Sequence, residues 1–161
     1  MKKYLQTDRG FSLIELLVVI AIITLVIVIL FPNFNLARQR ARDNARKGDL
    51  SQIQKTLELY KLDQATPAYP APTYLSVCNK CWSSLGACPG TAGDNIYIRK
   101  IPCDPASTGP TPTTYLYTRD SDITKYTLTA CLENAADPDR DSPVASFCSS
   151  TSGVSYTIHE P

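Results

Sequence analysis

Arg9-Gly10-Phe11-Ser12-Leu13-Ile14-Glu15-Leu16-Leu17-Val18-Val19-Ile20 places a glycine, an aromatic ring and one carboxylate at the mouth of an apolar stretch that runs on to Phe31. Within residues 11–31 the only polar side chains are Ser12, Glu15 and Thr24. As a helix, 21 such residues rise roughly 31 Å, about the thickness of the hydrocarbon layer of a bilayer. The stretch therefore predicts a membrane-spanning segment. A carboxylate inside that layer costs roughly 2.5–3.5 kcal/mol on insertion scales, so Glu15 either meets a partner charge or sits shallow enough to reach the headgroups.

Charge does not orient the segment. Lys2, Lys3 and Arg9 precede it, but Arg38, Arg40, Arg42, Arg46 and Lys47 follow it, and the positive-inside count is ambiguous. The cysteines supply the missing direction. Cys78, Cys81, Cys88, Cys103, Cys131 and Cys148 all lie beyond the apolar stretch, an even set of 6 in one small segment, which suits an oxidising exterior. The chain has 161 residues and a formal charge of +1: room for one domain after the helix, and no general call for a polyanionic partner. Residues 63–161 hold 14 Leu, Ile, Val and Phe, 7 of the 9 tyrosines, the one tryptophan and 11 of the 12 prolines. So thin an aliphatic core needs aromatic mass and disulfides, each worth about 2–4 kcal/mol, and the prolines predict loops and short strands.

Periodicity extends the helix. Beyond Pro32 apolar residues recur at Ala37, Ala41, Ala45, Leu50, Ile53, Leu57 and Tyr60, opposite Arg38, Arg42, Gln52 and Lys55, so one helix is expected from near Ser12 to about Leu62. Pro32 is expected to kink it and Gly48 to weaken it. It has to stop before Thr66-Pro67-Ala68-Tyr69-Pro70-Ala71-Pro72. Alternating stretches follow at Ile96-Tyr97-Ile98, Tyr115-Leu116-Tyr117, Tyr126-Thr127-Leu128-Thr129-Ala130 and Val154-Ser155-Tyr156-Thr157-Ile158. The fold class is α+β: a long N-terminal helix, its first half membrane-spanning, packed on one small antiparallel sheet.

The basic leader, the Gly10-Phe11 junction, Glu15 and the aliphatic run together resemble the class III signal and N-terminal helix of type IV pilins and type II secretion pseudopilins. An ordinary secretory signal would put its cleavage site after the apolar run, not before it. The resemblance implies a leader of residues 1–10 cut by a prepilin peptidase between Gly10 and Phe11, with N-methylation of Phe11. It implies a helix over residues 11–62, of which residues 11–31 form the membrane span and later the filament core, and a cysteine-rich, pilin-like head over residues 63–161. It also implies assembly without catalysis. The chain would wait in the inner membrane, in contact with lipid, as a single pass with its C-terminal domain outside the cytoplasm. An inner-membrane assembly platform would then add it to a homo-oligomeric filament, periplasmic or at the cell surface. Glu15 would face the N-terminal amine of Phe11 in a neighbouring subunit, a pair in a dry medium.

Tyr60-Lys61-Leu62-Asp63, the prolines after it, Tyr97-Ile98-Arg99-Lys100-Ile101-Pro102-Cys103-Asp104-Pro105 and the tyrosines at 115 and 117 make the head most similar to the major pseudopilin of type II secretion. Members of that family end in a glycine- and acid-rich calcium-binding segment. Here the corresponding oxygens are those of Asp137, Asp139 and Asp141, without a glycine run, so calcium is the one cofactor considered; Asp120 and Asp122 add to the same acidic loops. Cys78-x-x-Cys81 with Cys88 and Cys103 fits disulfides, a zinc knot or a redox pair, and disulfides are favoured. Cys131 and Cys148 form the expected pair, because a loop of 16 residues returns Cys148 to the end of a strand. The run from Arg38 to Lys47 offers a surface to DNA or lipid headgroups, yet with Asp43 and Asp49 interleaved it reads as a solvated helix face, and no nucleic-acid partner is expected. His159 is the single histidine and stands beside the terminus, which leaves no His-based catalytic dyad. The alternative function is a non-polymerising, membrane-anchored, cysteine-rich module that holds zinc or a ligand.

Overall fold

A computed structural model describes residues 10–84, 88, 93–107, 115–149 and 153–161, except for the side chains of residues 29–33. The basic leader residues and the side chain of Pro32 lie outside the described residues. The chain divides into two compact units, Met1–Arg38 and Gln39–Pro161, so the division falls within the long helix and not at its end. Helix α1 spans Leu13–Asp63, 51 residues, with Gly48 inside it. It ends where expected, three residues short of the first of the prolines that follow.

Within the unit Gln39–Pro161 the buried positions of α1 are Asp43, Arg46, Leu50, Ile53 and Leu57. They recur every three or four residues, as a helix stripe must. The expected continuation of that stripe through Ala41 and Ala45 is wrong: both alanines are exposed, as is Ala37. Hydropathy favoured the alanines, but a charged side chain goes inside when its partners are waiting there.

The head carries two small antiparallel sheets where one was expected. Strand β1 (Trp82–Ser83) pairs with β2 (Ile96–Ile98). Strands β3 (Leu116–Arg119), β4 (Tyr126–Cys131) and β5 (Ser155–His159) form the second sheet in the order β3-β4-β5. After β2 the chain cannot continue a ladder towards β3, since Pro102 has no N–H to give and Cys103 is tied back to Cys78. A 3-10 turn at Pro72–Leu75 and the short helix α2 at Ser146–Ser149 complete the elements among the described residues.

Register explains the core. Tyr117 stands opposite Leu128, and Leu128 opposite Ile158, so Tyr117, Tyr126, Leu128, Ala130, Tyr156 and Ile158 share one face. They join Leu50, Ile53 and Leu57 of α1 in a single cluster. Aromatic rings replace the scarce aliphatics. Trp82, 2% exposed, has its ring centre 5.1 Å from those of both Tyr60 and Tyr97, and Tyr69 meets Tyr126 edge-on at 4.6 Å. The phenols need acceptors when buried, and α1 supplies three of them: Tyr115 donates to Asp49 at 2.5 Å, Tyr69 to Glu58 at 2.6 Å and Tyr97 to Asp63 at 2.9 Å. Burial, reinforced by Asp63, pushes the Tyr97 phenol up to about 12.

Candidate functional site

Ser12 precedes the first residue of α1 and Glu15 is its third. Glu15 Oε2 accepts the backbone N–H of Ser12 at 2.9 Å, and the N–H of Leu16 reaches the Ser12 carbonyl at 3.3 Å. This is the glutamate half of a capping box, a local task for Glu15 that the reading of the sequence missed. The signal was there in the spacing Ser12-x-x-Glu15. The carboxylate lies with Phe11, Ile14, Val18 and Val19 around a shallow recess of about 370 Å³. Phe11 and Leu13 are each 80% exposed, and the apolar side chains after them stay exposed as far as Val28. So long an apolar surface calls for lipid or for other chains. No atom lies within 4 Å of a Cβ built at Gly10, so the described fold itself makes no demand for glycine there. Among the described residues no helix is long and apolar enough to cross a membrane.

The second arrangement lies in the head and corrects the reading of the arginine run as a solvated face. Arg46 is 3% exposed and Asp43 fully buried. The Arg46 guanidinium donates through Nε and Nη2 to both oxygens of Asp104 at 2.8 and 2.9 Å, and through Nη1 to Asp43 at 2.7 Å. Its Nη2 also lies 2.9 Å from Glu133 Oε1. Asp43 in turn accepts the backbone N–H groups of Glu133 and Asn134 at 2.9 and 2.8 Å. Arg42 makes a two-pronged contact with Glu133. Burial works to lower the Arg46 pKa, but the hydrogen bonds it donates to Asp104, Asp43 and Glu133 outweigh it and the net direction is up. Hydrogen bonds from Arg42, then Arg46, hold the Glu133 carboxyl down at about 2, against burial. What binds this part of α1 to the loops after β2 and β4 is thus a set of paired charges.

The acidic loop follows the same pattern. Lys47 Nζ sits 2.5 Å from Asp137 Oδ1 and 2.8 Å from Asp139 Oδ2. Asp141 accepts the hydroxyls of Ser155 and Thr157 at 2.6 and 2.7 Å and the N–H of Thr157 at 3.1 Å. The three carboxylates considered for calcium are therefore engaged separately, two by an ammonium and one by the edge of β5. Among the described residues no group of three or more His, Cys, Asp or Glu is placed to hold a metal ion. Asp120 and Asp122 instead organise their own turn, with Ser121 and Thr124 as donors.

The structure joins Cys78 to Cys103, Cys81 to Cys88 and Cys131 to Cys148, with Cα separations of 5.1, 5.5 and 5.3 Å. The two cysteines of Cys78-x-x-Cys81 go to different partners, so they form neither a zinc knot nor a redox pair. Cys148 is fully buried and Cys78 2% exposed, while Cys81 and Cys88 are half-buried. The His159 carbonyl accepts from the Gln54 amide at 2.8 Å.

A family model of the prokaryotic N-terminal methylation motif matches residues 5–31. The type IV wide pilus major component of Thermus thermophilus is 42% identical over 59 residues, which cover 37% of this chain and 45% of that protein. Type II secretion system core protein G of Pseudomonas aeruginosa is 29% identical over 100 residues, 62% of this chain and 69% of its own length. Core protein G of Klebsiella pneumoniae is 30% identical over 103 residues, 63% of this chain and 71% of its own. The chain thus spans less than half of the Thermus protein and most of each core protein G. No solved structure matches it. These relatives are components of a type IV pilus and of type II secretion systems. Because the likeness to core protein G of Klebsiella pneumoniae covers 63% of this chain and 71% of that protein at 30% identity, and the fold is a long helix packed on small antiparallel sheets, the chain belongs to the family of type IV pilins and type II secretion pseudopilins.

Proposed function

We propose that the chain is a structural subunit of a type II secretion pseudopilus or type IV pilus, processed and held in the inner membrane before it joins a helical filament. The single observation that carries this reading is the exposed apolar surface over residues 11–28 with one carboxylate, Glu15, at its mouth. Residues 11–31 form a single membrane pass, with the head outside the cytoplasm. A prepilin peptidase cuts between Gly10 and Phe11 and the new amine of Phe11 is methylated. In the membrane the apolar surface is covered by lipid, and an inner-membrane assembly platform then exchanges lipid for the helices of other copies. Glu15 changes partner at that step, from the Ser12 N–H of its own chain to the charged amine of Phe11 on a neighbour. A dry setting makes such a pair strong and leaves a lone carboxylate costly.

Mass spectrometry of the protein from native membranes tests the processing. A chain that begins at Phe11 and is heavier by one methyl group is expected, and Gly10→Val should block the cut, since a branched side chain hinders close approach of the protease to the backbone. An uncut chain in cells whose prepilin peptidase is active would refute the reading.

A further inference from the structure

Strand β4 runs alongside the part of α1 that lies in the head, in the opposite direction. Tyr126 at its start meets Tyr69, whose hydroxyl reaches Glu58, and Glu133 just past its end gives its N–H to Asp43. The head thus has two ends along α1, roughly 20 Å apart at 1.5 Å per residue, and they leave over opposite charges. At the Glu58 end the hairpin between β3 and β4 and the end of β5 line a recess of about 370 Å³ that holds Asp120, Lys125, His159 and Glu160. Lys125 lies 3.9 Å from Asp122, and Arg119 turns to the Tyr69 carbonyl. Asp120 is held by Ser121 and the N–H of Asp122, Glu160 by the N–H of Tyr126, and neither makes an ion pair among the described residues. At the Asp43 end a second recess, about 330 Å³, lies between Arg40 and Asn44 of α1 and the loop after β4. Lys47 is taken there by Asp137 and Asp139. Arg40 and Arg140 are exposed: among the described residues Arg40 makes no ion pair or side-chain hydrogen bond, and Arg140 is held only by the neutral carbonyl of Ala135, on the loop that walls the recess.

Within one copy the two ends stand roughly two Debye lengths apart at physiological salt, so they do not neutralise each other. We propose that Arg40 and Arg140 of one copy dock on Asp120 and Glu160 of a second copy stacked end to end along α1. This rests on the reading of the chain as a filament subunit and adds which end meets which. A guanidinium has five N–H donors in a fixed fork, enough to engage both carboxylates of the acidic recess. The two patches differ, so the contact is heterologous: each copy uses one end and leaves the other for the next, which produces open filaments where the rotation does not close. A polyanion such as DNA fits Arg40 and Arg140 poorly, because Asp137 and Asp139 share their surface.

Charge reversal tests the contact in cells that hold the assembly machinery, read as filament yield per processed subunit. R40E/R140E makes both ends acidic and D120K/E160K makes both basic. Each variant alone should therefore assemble about tenfold less than the wild type, since like charges meet at every junction. Expressed together they should recover most of the yield, because alternating copies present opposite charges, and such a rescue also shows that both variants fold. Normal yield from either variant alone would overturn the proposal, and so would failure of the mixture while both keep the wild-type urea midpoint. Where a variant is unstable, zero-length carbodiimide cross-linking of R40K/R140K filaments, mixed from isotopically light and heavy subunits, reads the contact directly. Links between light and heavy copies from position 40 or 140 to Asp120 or Glu160 are expected. Their absence would overturn the proposal, and links from Asp120 or Glu160 to Lys80 or Lys100 instead would reassign the contact to the sides of the head. A wild type that forms no filaments in those cells would remove the filament reading and the proposal together, whereas wild-type filaments with indifferent variants would remove the proposal alone.

Discussion

Replacing Arg46 by methionine removes the guanidinium from the centre of the head's charge network while keeping much of its apolar stem. Three carboxylates lose a partner, and they lose unequally. Glu133 keeps Arg42. Asp104 keeps the N–H of Ala106 at 2.8 Å. Asp43, fully buried, keeps the N–H groups of Glu133 and Asn134 but loses Arg46, the one cation bonded to it among the described residues. Breaking a buried pair generally costs about 3–5 kcal/mol because a charge is left uncompensated. With two backbone donors still on Asp43, the lower end, about 3 kcal/mol, is the expected loss. For a domain of this size that corresponds to a fall in Tm of about 12 °C, at about 4 °C per kcal/mol. Trp82, the only tryptophan and 2% exposed, reports unfolding by fluorescence in a urea titration of the full chain in detergent. Arg46→Lys should recover only part of the loss, since an ammonium cannot reproduce the bidentate contact with Asp104. A cost below about 1 kcal/mol for Arg46→Met would refute the idea that paired charges bind this stretch of α1 to the loops, and would shift that role to Leu50, Ile53 and Leu57.

Acid should act on the same network. The Glu133 carboxyl is held at about 2 against an ordinary 4.5, so its contribution is complete above pH 4.5 and disappears as the pH falls from there towards 2; the urea midpoint should drop over that window in the wild type and less in Glu133→Gln, and parallel curves would count against it. Glu15→Leu is expected to leave insertion and cleavage intact but to reduce filament yield per processed subunit sharply, while normal filaments would limit Glu15 to its capping bond with Ser12. Stepwise reduction with thiol capping and mass spectrometry should open Cys81–Cys88 first, because both of its residues are only half-buried, and Cys131–Cys148, whose Cys148 is fully buried, after it; the reverse order would show that exposure does not govern access. Added calcium should leave Tm unchanged, as Asp137 and Asp139 already share the Lys47 ammonium and Asp141 is turned to β5; a rise of several degrees would reveal a calcium site.

The amino-acid sequence alone was enough for the features that depend on neighbours along the chain. The apolar run, the Gly10-Phe11 junction and Glu15 are local, and so is the end of α1 ahead of the prolines, because helix periodicity and proline chemistry act within a few residues. Four of the five strands were legible from alternation. Trp82–Ser83 was not, as two residues carry no period. The disulfide between Cys131 and Cys148 followed from its short loop, whereas the partners of Cys78 and Cys81 depended on how the segment between them and Cys103 folds back. Tertiary structure alone decided which charges go inside. Nothing in the order of residues distinguishes Arg46 from Arg40, or Asp43 from Asp63. The difference is made by Asp104 and Glu133, which lie 58 and 87 positions beyond Arg46 and reach it only once the loops after β2 and β4 close on the helix. Hydropathy ranks an arginine below an alanine for burial at any position, but in the folded chain the desolvation of Arg46 is offset by partners that no local pattern can reveal.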